Sequence, residues 1–149
     1  MSELRDLYQE VIIDHSKRPR NFHKIANTSH KGEGYNPLCG DKVNVYLEIK
    51  DGKIINAAFE GSGCAISTAS ASMMTDIMKT KSIVEIEALF KKFQNLVTGL
   101  GNSSEGPDLD KLEIFEGVSE FPARVKCAIL PWHTAMLALK QENTVAKTE

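Results

Sequence analysis

Three cysteines and one aspartate carry the chemistry this sequence offers. Cys39-Gly40-Asp41 sets a glycine between two potential ligands, so a sharp turn can aim a thiol and a carboxylate to one side. Gly61-Ser62-Gly63-Cys64 has the same freedom ahead of its thiol. Cys127 follows Pro122 in the first turns of a segment with helical spacing, where a helix N-terminus favours thiolate. Three thiolates and a carboxylate satisfy a tetrahedral ion, and zinc accepts that mixture with no redox chemistry of its own. An iron-sulfur cluster, or iron alone, could use the same four groups. With a divalent cation the set carries a formal charge of about −2, which Lys42, Arg124 and Lys126 would help to offset. Aspartate is the informative member, because a hard oxygen among soft sulfurs suits a centre that exchanges ligands better than a purely structural one. The plain alternative makes the cysteines small buried hydrophobes, the glycines ordinary hairpin ends and the three cations a solvated face.

A hairpin is what would bring these residues together. Val43, Val45, Leu47 and Ile49 alternate with polar residues, Asp51-Gly52 supplies a turn, and Ile55, Ala57 and Phe59 repeat the period. Pairing like faces sets Ile49 opposite Ile55, Leu47 opposite Ala57 and Val45 opposite Phe59, which requires a three-residue turn or a bulge. Extrapolated, this register puts Gly40 opposite Cys64, so Cys39, Asp41 and Cys64 meet at one end of a sheet. Cys127 cannot be placed beside them by periodicity.

Helices account for much of the rest. Leu4, Leu7, Tyr8, Val11 and Ile12 predict a first helix behind Ser2, closed by Pro19, and the polar stretch 20–35 reads as loop. Ser67 is expected to cap a helix carrying Ile66, Ser70, Met73, Met74 and Ile77. Ser82 and Glu85 form a capping box ahead of Ile86, Leu89, Phe90, Phe93 and Val97. Leu109, Leu112 and Phe115 predict a short helix ended by Gly117. Val125, Ala128, Ile129, Trp132, Met136 and Leu139 predict a final one that Pro131 should kink or restart. Residues 141–149 are polar and expected to fray. His15, His23 and His30 read as surface residues, and His133 lies about 120° around an ideal helix from Cys127, off the site's face. With no histidine in reach of a cysteine, a cysteine hydrolase is a poor reading.

Composition narrows the class. The 149 residues, 42% of them hydrophobic, suit one domain over 1–149 with a core that needs no disulfide. A charge of −2 leaves no broad cationic surface for nucleic acid. No apolar run is long enough to span a membrane, and an odd number of cysteines fits thiols kept reduced in the cytoplasm.

Taken together, Asn36-Pro37-Leu38-Cys39-Gly40-Asp41, Gly61-Ser62-Gly63-Cys64-Ala65-Ile66-Ser67 and Arg124-Val125-Lys126-Cys127-Ala128 resemble the NifU-like iron-sulfur cluster assembly family along nearly the whole chain. A long Cys64-to-Cys127 segment, and Lys126 where IscU-type members usually have histidine, resemble its SufU type. Phe121-Pro122-Ala123-Arg124-Val125 stands in the neighbourhood of the Leu-Pro-Pro-Val-Lys chaperone motif, which is missing. The resemblance implies an α+β fold, a small antiparallel sheet of two to three strands packed against several helices. It also implies iron-sulfur cluster assembly by zinc-dependent sulfur transfer, with Cys39 taking persulfide sulfur from a SufS-type cysteine desulfurase. Asp41, Cys64 and Cys127 would keep the metal while a desulfurase histidine replaces Cys39, and downstream iron-sulfur assembly proteins would follow. The alternative is a scaffold on which a [2Fe-2S] cluster is built and handed on. A third reading is a zinc-stabilised interaction module with no sulfur chemistry.

Overall fold

Alternation builds the hairpin that the pattern predicts, β2 (Asp41–Lys50) and β3 (Lys53–Ser62). The computed structural model describes residues 2–26, 28, 30–38, 40–100, 108–140 and 145–147, with backbone alone at 2–9, 110 and 145–147. Asp51 and Gly52, at φ 54° and 77°, close the hairpin in the mirror-image turn that matches strand twist. Val45 pairs with Phe59 and Leu47 with Ala57 as expected. The third pair differs: the register shifts between Glu48 and Ile49, so Ile49 faces Ile54 and Ile55 turns outward, 54% exposed. A two-residue turn cannot continue the earlier register, and the bulge absorbs the extra residue.

A strand stands where loop was expected. β1 (His30–Asn36) pairs antiparallel with β2, and its inward positions are Gly32, Gly34 and Asn36. Hydrophobic alternation is invisible there because the inward residues are mostly glycines. They are small for a reason: a Cβ on Gly32 would strike the Thr134 carbonyl oxygen, and one on Gly34 the Thr134 hydroxyl. The final helix, α4 (Pro122–Lys140), can therefore lie close against the strand. A short β4 (Val145–Lys147), inside the polar tail expected to fray, runs parallel to β1 and completes the order β3-β2-β1-β4. The α+β class holds, with three antiparallel strands and this brief edge.

The other helices are α1 (Ser2–Lys17), α2 (Ala65–Met78) and α3 (Ile83–Val97). The cap of α2 is Cys64 rather than Ser67: its Sγ accepts the Ser67 N–H at 3.5 Å. Ser82 and Glu85 close the expected capping box of α3. Between α3 and α4, Asp110–Glu120 is a 3-10 helix that runs past Gly117. Leu109, Leu112, Phe115 and Val118 are buried at every third position, the repeat of a 3-10 helix. No break marks Pro131, and α4 continues through it.

The sheet packs against α2 and α4, and α3 with the 3-10 helix extends the core outward. Phe93 stacks on Trp132 at 4.7 Å and meets Phe115 edge-on at 5.6 Å. His15, expected at the surface, is buried between α1 and α2, where its Nδ1 lies 2.7 Å from the Ser72 hydroxyl. The same hydroxyl accepts the Arg20 N–H at 2.8 Å, which gives the histidine a polar niche that the pattern of α1 does not reveal. No helix among the described residues is long and apolar enough to cross a membrane.

Candidate metal centre

The register that pairs Lys42 with Ser62 carries on past the strand ends, so Asp41 starts β2 beside the Gly63-Cys64 step into α2. Gly40, at φ 71°, turns the chain into β2 through a conformation glycine tolerates without strain. Gly63 serves by its size: a Cβ there would collide with Asp41 Oδ1. Its absence lets the Cys64 N–H reach that oxygen at 2.8 Å. Asp41 is wholly buried, and a buried carboxylate needs partners. Besides the Cys64 amide, the Asn36 side-chain nitrogen lies 3.5 Å from its Oδ2.

Cys127 arrives from the opposite layer. Packing of α4 on β1 and β2 buries it completely, with its Sγ 3.6 Å from the Ala123 carbonyl oxygen one turn back. The Asn36 Nδ2 stands 3.6 Å from the same sulfur. Cys64, the half-buried member, has its Sγ 4.0 Å from Asp41 Oδ2. Potential ligand atoms of Asp41, Cys64 and Cys127 all fall within 4.8 Å of one another. Tetrahedral zinc separates sulfur from oxygen by about 3.6 Å and sulfur from sulfur by about 3.8 Å, so small rotations of these side chains would suffice to enclose it.

The structure thus joins Cys127 to Asp41 and Cys64, the one meeting that periodicity could not supply. Cys39, between Leu38 and Gly40, lies outside the described residues. Lys42 does not share the Asp41 face: strand alternation turns it outward, and its ammonium sits 5.9 Å from the Tyr35 ring centroid. Arg124, exposed, and Lys126, half-buried, flank Cys127 in the first turns of α4. His133 stays off the site as expected, packed edge-on against Phe90 at 5.1 Å, with burial lowering its pKa. Asn36, part of the stretch that carries the resemblance, has no local pattern that marks it as a neighbour of the site. Its place at the inner end of β1 would have required seeing β1 first.

Known proteins share this arrangement of sequence and fold. The family described as NifU-like N terminal domain matches residues 7–128. The zinc-dependent sulfurtransferase SufU of Bacillus subtilis is 42% identical, over 99% of this chain and 95% of its own. The iron-sulfur cluster assembly scaffold protein IscU of Streptococcus pyogenes is 40% identical, over 95% and 87%. A crystal structure from Fervidobacterium islandicum, described as a candidate iron-sulfur cluster assembly scaffold for the SUF system, superposes with a TM-score of 0.78. It is 37% identical, with 87% of this chain and 94% of that one covered. With the family match over residues 7–128, and with Asp41, Cys64 and Cys127 gathered at one end of the sheet, this chain belongs to the NifU-like N-terminal domain family.

Proposed function

We infer that this protein takes part in iron-sulfur cluster assembly as a zinc-dependent sulfur acceptor, receiving persulfide sulfur from a SufS-type cysteine desulfurase. The observation that carries this is the convergence of Asp41, Cys64 and Cys127 from three separate elements, within 4.8 Å. The donor set fits zinc: two sulfurs and a buried carboxylate oxygen leave one tetrahedral place, which Cys39 would fill. Bound there, zinc holds thiols as thiolates at neutral pH and contributes no electron transfer. The carboxylate is positioned by the Cys64 amide, and Cys64 by the start of α2.

Cys39 is the residue assigned to sulfur. Released as a thiolate, it attacks the terminal sulfur of the desulfurase persulfide, forming a new S–S bond while the desulfurase cysteine departs as thiolate. Sulfur changes hands with no added oxidant or reductant. Downstream assembly proteins then receive it, in the reducing cytoplasm where free thiols persist. Arg124 and Lys126, beside Cys127, supply positive charge against an anionic site.

The test combines metal content with sulfide release by a SufS-type desulfurase. About one zinc per chain, strong acceleration by the unmodified protein and none by Cys39→Ala would support the reading. Acceleration that survives Cys39→Ala would sink it. The names of relatives such as the Streptococcus scaffold keep a second reading in view. In that case anaerobic iron and sulfide should give a stoichiometric [2Fe-2S] chromophore that transfers to an acceptor, with weak desulfurase stimulation.

A further inference from the structure

One carboxamide touches most of the site. The geometry points to Asn36 as a positioning residue that fixes Asp41 against Cys127 and ties both to the turn leading to Cys39. The inference rests on the metal-site reading above.

Asn36 closes β1 opposite Asp41, and it is wholly buried. Its Nδ2 lies 3.5 Å from Asp41 Oδ2, long for an N–H···O bond, and 3.6 Å from Cys127 Sγ, ordinary for sulfur. Its Oδ1 accepts the Leu38 N–H at 3.3 Å, the short-range bond of an Asx-turn. These partners favour this orientation of the amide. Turned over, it would set a carbonyl oxygen against a carboxylate and a sulfur, and an NH2 against the Leu38 N–H. Three chain segments therefore meet on one rigid planar group: the β1–β2 turn, the start of β2 and the first turns of α4.

A turn-forming asparagine would need the oxygen alone. The nitrogen's two partners belong to the candidate ligand set, and N–H donation to a ligating sulfur or carboxylate orients it and tempers its charge. Loss of such outer partners typically costs about 10–100-fold in metal affinity. Gly63 leaves room for the carboxylate on its other side, where a Cβ would collide with Asp41 Oδ1. Asn36 and the Cys64 amide thus hold the carboxylate between them, one at each oxygen.

Two substitutions separate positioning from turn formation. Asn36→Ser keeps a short side-chain acceptor for the turn but cannot reach Asp41 and Cys127, whereas Asn36→Ala removes both roles. The full chain is titrated with cobalt(II), reading the thiolate-to-cobalt charge-transfer bands and the affinity by chelator competition. Circular dichroism and melting of the metal-free proteins serve as the folding control. A positioning role predicts that both variants lose about 10–100-fold in cobalt affinity and shift the charge-transfer bands, with Asn36→Ser folded. Wild-type affinity and bands in Asn36→Ser, with defects only in Asn36→Ala, would reduce Asn36 to a turn residue and overturn the inference alone. An unmodified protein showing no thiolate-to-cobalt bands would remove the metal-site reading and this inference with it. Should Asn36→Ala fail to fold, the serine variant carries the comparison.

Discussion

Replacing Asp41 with alanine should erase most of the stability that a bound metal would give this protein. Its carboxylate is fully buried and accepts the Cys64 N–H at 2.8 Å, so it is at once a candidate ligand and the anchor of a second one. With free zinc at one hundred times the dissociation constant, binding stabilises the folded state by about 2.7 kcal/mol. For a chain of 149 residues this raises the melting temperature by about 5–11 °C. Loss of a ligand is at least as damaging as loss of an outer partner, so a fall of about 100-fold in affinity is a conservative expectation. The same zinc concentration then contributes only about 0.4 kcal/mol. In the metal-free protein two effects oppose each other: a charged hydrogen bond worth about 1.5–3 kcal/mol disappears, and so does the cost of a buried carboxylate. The informative quantity is therefore the difference between melts with zinc and with chelator. A variant that keeps the full zinc-induced rise would refute the assignment of Asp41 as a ligand.

Cys64→Ser should separate the two roles of that residue: serine is a good helix cap, so metal-free stability should stay within about 1 kcal/mol, while zinc affinity by chelator competition falls at least about tenfold. Burial lowers the pKa of His15 and of His133 from 6.5, with Arg20 adding to the effect at His15. The unfolded chain then binds more protons below pH 6.5, so stability should decline as pH falls through that value, by up to about 1.4 kcal/mol per pH unit per histidine. Urea melts in chelator at pH 7.5 and 5.5 measure the decline, and His15→Gln should flatten it. Gly34→Ala would push a methyl into the Thr134 hydroxyl and to 3.1 Å from both Leu130 and Val43, costing about 1–3 kcal/mol. Adding Thr134→Ala should recover part of that loss in a double-mutant cycle, and strict additivity would count against the contact.

The hairpin could be read from its alternation because Val45, Leu47, Ala57 and Phe59 sit on one buried face. Its register was sound where side chains faced the core and failed at Ile55, where turn geometry rather than hydrophobicity sets the pairing. β1 was illegible for a related reason: with Gly32 and Gly34 inward, the signal of a buried face is carried by the absence of side chains, and only the nearness of Thr134 explains it. The meeting of Asp41 with Cys64 followed from register alone. Cys127 did not, since its position depends on how α4 crosses β1 and β2, a tertiary fact that no local period encodes. His15 escaped similarly, because a single serine on another helix, Ser72, makes its burial tolerable.

Each candidate ligand atom described has a protein partner of its own. Asp41 Oδ1 takes the Cys64 amide, Cys64 Sγ takes the Ser67 amide, and Cys127 Sγ has the Asn36 amide within reach. Their anchors are strand ends and helix starts; the largest buried side chains, Trp132, Phe59, Phe93 and Phe115, form a core that Asp41 and Cys64 stand outside and that Cys127 borders from α4. In a small zinc domain the metal substitutes for a missing core, and removing it unfolds the chain. Here large aromatic side chains supply a core of their own, so the ordering cost of the site falls on folding rather than on metal binding. A metal held in this way could change partners without the fold being lost, which is what the proposed release of Cys39 to an incoming persulfide would require.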